Sequence, residues 1–465
     1  MDQKTAFAAA AVEKKAALLE ETSRYLWENP ETAFTEYKSA AWLCRVLREE
    51  GFTVEENLAG IDTAFSGTYG SGRPVIGILG EYDALSGLSQ VAGVTERQSA
   101  GGESGHGCGH NNLGIGSLAA AIAIKEYLKA TGKSGTVIYY GCPGEEGGSG
   151  KAFMARDGVF DGLDAALCWH PSDETKIRTN RSLANYQVLY KFDGVASHAG
   201  GKPELGRSAL DAVELMNTGV QYLREHIPSS CRVHYAITDA GGFSPNVVQA
   251  HAEVLYLIRA VDNKIVRELY ERVNDIAEGA ALMTGTKASR EFIKACSNVV
   301  MNTAMQKVLY DKMVEIGSPV PTEEEIAYAR ELTLKALSHV PAADPDHPIW
   351  WEIGPYTEYE EQKHGSTDVG DVSWVCPTAQ IYTATKARGT PGHSWQETAQ
   401  GLNTNAIRRT LYASKVLAAC ALELLTDPEL LAEAQAEHRR RVGPAGYEAP
   451  IPKGVMPRSM DSLRK

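Results

Sequence analysis

At 465 residues the chain exceeds what one hydrophobic core supports, so two or more domains are expected. A hydrophobic share of 43% with charges of both signs is that of a folded globular protein, and a net charge of -13 excludes a nucleic-acid partner, which would need a basic surface. Eight cysteines are scattered without disulfide-like spacing, and no apolar run reaches the ~18 to 20 residues that cross a bilayer.

Met1-Asp-Gln-Lys-Thr-Ala leads directly into an Ala/Lys/Glu-rich amphipathic stretch with no apolar signal core, so a cytoplasmic location is expected. A helical pattern runs from about Thr5 to Asn29 and closes at Asn29-Pro30; a second spans about Glu36 to Gly51. Pro74-Val-Ile-Gly-Ile-Leu79 reads as a strand buried on both faces, and it delivers Gly80-Glu81-Tyr82-Asp83 to its carboxyl end. An Ala-rich helix follows over Leu113 to Leu128. Strand, helix and strand then repeat through 136–140, 150–157 and 164–168, which predicts an α/β sheet with its loops gathered at one edge.

The texture changes near Leu183. An alternating strand at 184–192, a helix over Arg207 to His226, alternating runs at 232–237 and 252–259, and a helix ending near Met283 predict an α+β sandwich on an antiparallel sheet. The expected division is a catalytic domain over 1–184 and 298–465, with the sandwich inserted at 185–297. The charged, helical, proline-interrupted stretch from Met301 to about Glu361 is expected to run over the surface, Ser366 to Trp374 and Ala379 to Thr383 to resume strands, and the last thirty residues to form a tail.

Four Gly-rich segments carry the chemistry. His106-Gly-Cys-Gly-His110-Asn111 packs two imidazoles and a thiol into five residues, and Gly141-Cys-Pro-Gly-Glu-Glu-Gly-Gly148 presents two adjacent carboxylates after a buried strand. Trp169-His170-Pro171 ends another strand, and Gly389-Thr-Pro-Gly-His393-Ser-Trp395 holds a further histidine. Cys108, His110, Glu146, His170 and His393 make five ligands of mixed N, O and S type, too many for one tetrahedral ion, so two divalent ions are expected. Glu145, next to the ligand Glu146 but outside the ligand set, has the chemistry of a general base. Taken singly, adjacent carboxylates are more often a solvated turn and single histidines more often structural; it is the set that points to metal. A Cys108/His110 thiol hydrolase would leave Glu145, Glu146 and His393 without a role.

These four segments, in this order and with a sandwich inserted between the third and the fourth, resemble the M20 metallopeptidase and amidohydrolase family, in the branch with a cysteine ligand. The resemblance implies a zinc-peptidase-like catalytic domain with a mostly parallel central sheet and an inserted dimerisation or lid domain. It implies the same five ligands for two zinc or manganese ions, Glu145 as base and then acid, and Asp83 as the carboxylate that orients a ligand. By the same resemblance His198, in Ala196-Ser-His-Ala-Gly200, reaches the active site of a dimer partner and steadies the oxyanion, while Asn246 and Arg259 hold the substrate's free carboxylate. The partner is a second copy or a paralogous subunit. One departure is Asn111, where the wider branch has Asp.

The implied reaction is hydrolysis of the amide of an N-acyl amino acid, an aromatic acyl group on glutamate or aspartate, as in p-aminobenzoyl-glutamate. Rivals are an indole-acetyl-aspartate or a β-alanyl dipeptide substrate, or a catalytically silent subunit that completes a paralogue's site. The intact Glu145 and full ligand set speak against silence.

Overall fold

The structure is a computed structural model; it describes residues 1–358, 364–459 and 462, with 361 and 362 as backbone only. The ends of the expected surface stretch and of the tail therefore lie partly outside the described residues. Two compact units emerge, one from 1–180, 300–360 and 372–447, the other from 181–299, 361–371 and the segment from Glu448 onward. Residues 361–371 and the tail thus group with the middle of the chain and not with the expected third segment.

Two-residue strands aside, the strands in chain order are β1 (Thr53–Glu56), β2 (Phe65–Ser71), β3 (Val75–Glu81), β4 (Gly135–Cys142), β5 (Ala165–Ser172), β6 (Glu174–Ile177), β7 (Ala184–Asp193), β8 (Arg232–Asp239), β9 (His251–Ala260), β10 (Lys287–Cys296), β11 (Trp350–Ile353) and β12 (Thr378–Ala384). In the first unit eight of them form one mixed sheet in the order β1-β2-β4-β3-β5-β12-β6-β11. Its centre, β4-β3-β5-β12, is parallel throughout, so the carboxyl ends of four strands open on one edge.

The helix His110–Thr131 packs on this centre, and its residues from His110 to Lys125 are all buried. Close packing is possible because Gly116 faces Trp169: a Cβ there would come within 2.6 Å of the indole nitrogen, which donates instead to the Leu113 carbonyl at 3.1 Å. Ser117 Oγ donates to the Leu79 carbonyl at 2.6 Å and ties the same helix to β3.

Several elements differ from the sequence reading. The first helical pattern is two helices, Gln3–Glu13 and Ala16–Glu28. The Thr303–Ile316 helix is no surface excursion, because Met305, Leu309 and Met313 line up at helical spacing and are fully buried in the main core. Its charged opposite face had masked that stripe. Residues Val369–Val375 form a short helix where a strand was expected. The segment is buried almost throughout, so periods of two and 3.6 cannot be told apart in it.

The second unit is an antiparallel sheet in the order β8-β9-β7-β10, with the helices Ala209–Leu223 and Asn263–Thr284 packed on each other and on the sheet. Strand β10 was not anticipated. Edge strand β8 leaves Tyr235 and Ile237 exposed, and Phe243 beyond it is 98% exposed.

Candidate metal centre

Each carboxyl end of the parallel strands brings one part of a cluster in the first unit. Strand β3 ends in Glu81 and hands on to Asp83; β4 opens into the loop of Glu145 and Glu146; β5 carries His170 within the strand; the segment after β12 brings His393. His110 is the first residue of its helix, preceded by Gly109 in the left-handed region at φ 74°.

Ligand-type atoms of Cys108, His110 and His170 all lie within 4.8 Å of one another, and so do those of Cys108, Glu146 and His393. A third such group joins Glu81, His110 and Glu145. Cys108 therefore belongs to two sets of three, and its Sγ is 3.6 Å from His170 Nε2.

Hydrogen bonds set which atoms are available. His110 Nδ1 is 2.9 Å from Asp83 Oδ1, while Asp83 Oδ2 accepts from the Glu146 N–H at 2.9 Å, so one carboxylate orients both a histidine and the loop of a glutamate. His170 Nδ1 lies 2.7 Å from the Pro171 carbonyl, an arrangement that protonates Nδ1 and turns the Nε2 lone pair toward Cys108. Burial, reinforced by His110, pushes the His170 pKa down to about 4, leaving it the neutral imidazole that a metal requires. His393 has φ 55°; its N–H donates to the Gly107 carbonyl at 2.9 Å and its Nε2 is 3.1 Å from Glu146 Oε2. Despite burial, the His393 contact helps to hold the Glu146 carboxyl down at about 2.

Three buried atoms in this cluster have no hydrogen-bond partner: His110 Nε2, Glu146 Oε1 and Glu81 Oε2. They converge, His110 Nε2 being 3.3 Å from Glu81 Oε2 and 3.9 Å from Glu146 Oε1. Buried polar atoms are rarely left so, and one nitrogen with two carboxylate oxygens around it is what a divalent cation satisfies. The donor set fits metal.

Glu81 and its partner Lys151, with Nζ 2.7 Å from Glu81 Oε1, went unassigned in the sequence reading. The readable signal was a lysine in the otherwise apolar start of the helix Gly150–Arg156. A second buried pair, Lys386 Nζ to Glu397 Oε1 at 2.6 Å, was also missed; Glu397 is in the first turn of the helix Trp395–Gln400 that follows His393. His106 is separate in function: its Nε2 lies 3.0 Å from the Leu26 carbonyl, and burial pushes its pKa down to about 3.

Asn111 explains itself. Its Nδ2 donates to Ser23 Oγ at 3.0 Å and to the Gly401 carbonyl at 3.2 Å, Ser23 Oγ donates to Asn112 Oδ1 at 2.9 Å, and Asn112 Nδ2 donates to the same carbonyl at 2.8 Å. An aspartate there could not supply those protons.

The remaining residues singled out from the sequence lie in the second unit. His198 is exposed, and its Nδ1 accepts the N–H groups of Gly200 and Gly201 at 3.1 and 3.0 Å, which leaves the proton of the neutral ring on Nε2. Asn246 is on the adjoining segment, its carbonyl accepting from Ala199 at 2.9 Å. Arg259 is half-buried, and its Nη1 donates to Ser366 Oγ at 2.8 Å.

This chain belongs to the M20 family of metallopeptidases and amidohydrolases. Residues 178–283 match the family's peptidase dimerisation domain. The chain is 47% identical over 452 residues to one of the subunits of p-aminobenzoyl-glutamate hydrolase of Escherichia coli (strain K12), covering 93% of this chain and 94% of that one. It is 29% identical over 439 residues to the Xaa-Arg dipeptidase of Mus musculus, covering 91% and 89%. Among solved structures, a dinuclear metal-binding M20 peptidase of Bacillus subtilis superposes with a TM-score of 0.57 at 18% identity, over 89% of this chain and 99% of that one.

Proposed function

We propose that this chain is a two-metal amidohydrolase that cleaves the amide bond of an N-acyl amino acid, with an aromatic acyl group on glutamate or aspartate, such as p-aminobenzoyl-glutamate. The observation that carries the reading is Cys108, common to two sets of three ligand atoms, which suits a thiolate between two ions. His110 and His170 would complete one set, Glu146 and His393 the other. Two zinc or manganese ions bound there would supply Lewis acidity for the amide carbonyl and for water.

The chain's own groups do the rest. Glu145 takes the proton of the attacking water and returns it to the leaving amine; it is next to Glu146 in sequence and its carboxylate is grouped with Glu81 and His110. Asp83 keeps His110 and the Glu146 loop in register. His198, presenting Nε2–H, donates to the oxyanion in the site of a partner chain, and Asn246 and Arg259 hold the substrate carboxylate. Dimerisation through the second unit is supported by the family match there and by the exposed edge strand β8 with Tyr235 and Ile237. The partner is a second copy or a paralogous subunit, since the Escherichia coli relative is itself one subunit of its hydrolase.

The similarity to the Xaa-Arg dipeptidase across 91% of the chain favours a dipeptide as the second reading. Among the described residues no helix is long and apolar enough to cross a membrane, and we place the reaction in the cytoplasm. The test is the purified chain, loaded with zinc or with manganese, against N-acyl glutamates, N-acyl aspartates and dipeptides. Release of the amino acid from the first two classes is expected; turnover of dipeptides alone would overturn the substrate assignment.

A further inference from the structure

We propose that Glu81 is a sixth metal ligand, the fourth for the ion shared by Cys108, His110 and His170, and that Lys151 is its positioning residue. The inference rests on the two-metal reading above and adds to it a residue outside the five-ligand set.

His110 Nδ1 is taken by Asp83, so only Nε2 can bind metal. His110 belongs to two groups of ligand residues, the one with Cys108 and His170 and the one with Glu81 and Glu145, and has only that nitrogen to offer either. A single lone pair binds a single ion, so the Glu81 carboxylate beside it can serve only the ion of Cys108 and His170, whereas Glu145 of the same group keeps the base role proposed above. Glu81 Oε2 is the carboxylate oxygen nearest to that nitrogen, at 3.3 Å, and neither atom has a hydrogen-bond partner.

The simpler account makes Glu81 the counter-ion of Lys151. It explains one oxygen only. Lys151, fully buried, sits 2.7 Å from Oε1, and this leaves Oε2 inside the protein with nothing to accept from, although Glu81 as a whole is 3% exposed. A buried carboxylate oxygen aimed at a ligand nitrogen is stable when a cation lies between them. Lys151 then acts by holding the carboxylate in one rotamer and offsetting its charge, as outer groups do around metal ligands.

The consequence is an asymmetric centre. One ion has four protein ligands, of which His110 and Glu81 are buried and Cys108 and His170 partly so, whereas the ion of Cys108, Glu146 and His393 has three and borders on solvent through the His393 side chain, 56% exposed. Four ligands close a tetrahedral site and three leave a position open. The first ion is therefore the tightly held one, and the second is the one that meets substrate.

The test uses the full chain and zinc alone, titrated against a competing chelator. Wild type should bind two ions in two affinity classes. Glu81→Gln should weaken the tighter class at least tenfold and leave the weaker class within a few-fold. Because that variant removes the carboxylate charge beside Lys151, the pair Glu81→Gln/Lys151→Met is measured with it, and the same loss is expected. A crystal structure of zinc-loaded wild type, which needs no variant to fold, should place Glu81 Oε2 about 2.0 to 2.2 Å from an ion. Two ions present with Glu81 more than about 3 Å from both, or unchanged tight binding in the variants, overturns the proposal while the two-metal reading stands. Failure of wild type to bind a second ion would sink the two-metal reading instead, and Glu81 would then be judged by its distance to the single ion.

Discussion

Cys108 Sγ and His170 Nε2 face each other at 3.6 Å, with the other nitrogen of the imidazole tied back to the Pro171 carbonyl. The thiol therefore meets a lone pair and not an N–H. An oriented imidazole facing a thiol would also suit a nucleophile and its base; what speaks for a cation is that Cys108 stands as well in a set with Glu146 and His393.

From this pair comes the first expectation. Cys108 stands in both sets of three, so Cys108→Ala should lower bound zinc from about two ions per chain toward none, where loss of a ligand to one ion would remove one. Elemental analysis after gel filtration reads the ratio; two ions retained in the variant would exclude a shared thiolate.

Glu145→Gln should keep the fold and both ions yet reduce kcat by roughly 100-fold or more, as expected for removal of a general base. The readouts are metal content, circular dichroism and single-turnover rates. Near-normal turnover would take Glu145 out of the proton path.

His198→Ala should be poorly active with normal metal content, because its Nε2–H would serve the oxyanion of a partner's site, a contact worth about 2.7 to 4 kcal/mol. Mixing it with Glu145→Gln chains should recover part of the activity, since one site per mixed dimer would pair an intact Glu145 with an intact His198. Mixed dimers that form but show no gain over either parent would confine His198 to its own chain or to no role.

Asn111→Asp should destabilise the fold by about 1 to 3 kcal/mol, the cost of leaving a buried acceptor unpaired. The Gly401 carbonyl and Ser23 Oγ would each lose a donor and face a carboxylate instead. Chemical denaturation of the metal-free chain measures it; a neutral result would mean that the Asn112 and Ser23 donors suffice.

Glu36 links the N-terminal segment to the loop of Glu145 and Glu146, accepting from the Gly144 N–H at 2.8 Å and from Thr63 Oγ1 at 2.9 Å. Burial, with Asp83 nearby, raises its pKa to about 8 from an ordinary 4.5. Between those values the folded chain holds a proton that the unfolded chain has released, so this group makes stability fall as pH rises. Glu36→Gln removes the effect. Its melting temperature relative to wild type, both metal-free, should climb from pH 5 to pH 8 and then level off; a pH-independent difference would mean that Glu36 is ionised throughout.

The clustering of Cys108, His110, Glu146, His170 and His393 was legible because most of these residues stand in Gly-rich loops, a texture that sequence carries directly. Glu81 was not, although it is two residues from Asp83: nothing in Gly80-Glu81-Tyr82 tells which carboxylate turns inward, and its partner Lys151 is 70 residues away and joins it only through the pairing of β3 with β4. Lys386 and Glu397 stand closer in sequence, but the Gly/Pro-containing loop between them has no periodicity that would pair them. The fold class followed from continuous strands in the first third and alternating ones in the middle. The short helix at 369–375 escaped because burial on all sides erases periodicity; of the helix at 303–316 only the burial escaped, because its charged face dominates its composition.

The left-handed backbone of His393 makes the position unusually open to chemical complementation. A φ of 55° is one that glycine adopts without strain, so His393→Gly should keep the turn and its N–H bond to Gly107 while removing only the ring. With that side chain more than half exposed, the vacated space is reachable from bulk water. Free imidazole, added to the medium, should therefore diffuse in and stand where the ring was, and activity in the variant should rise with its concentration and saturate, turning a built-in ligand into one that the experimenter can titrate.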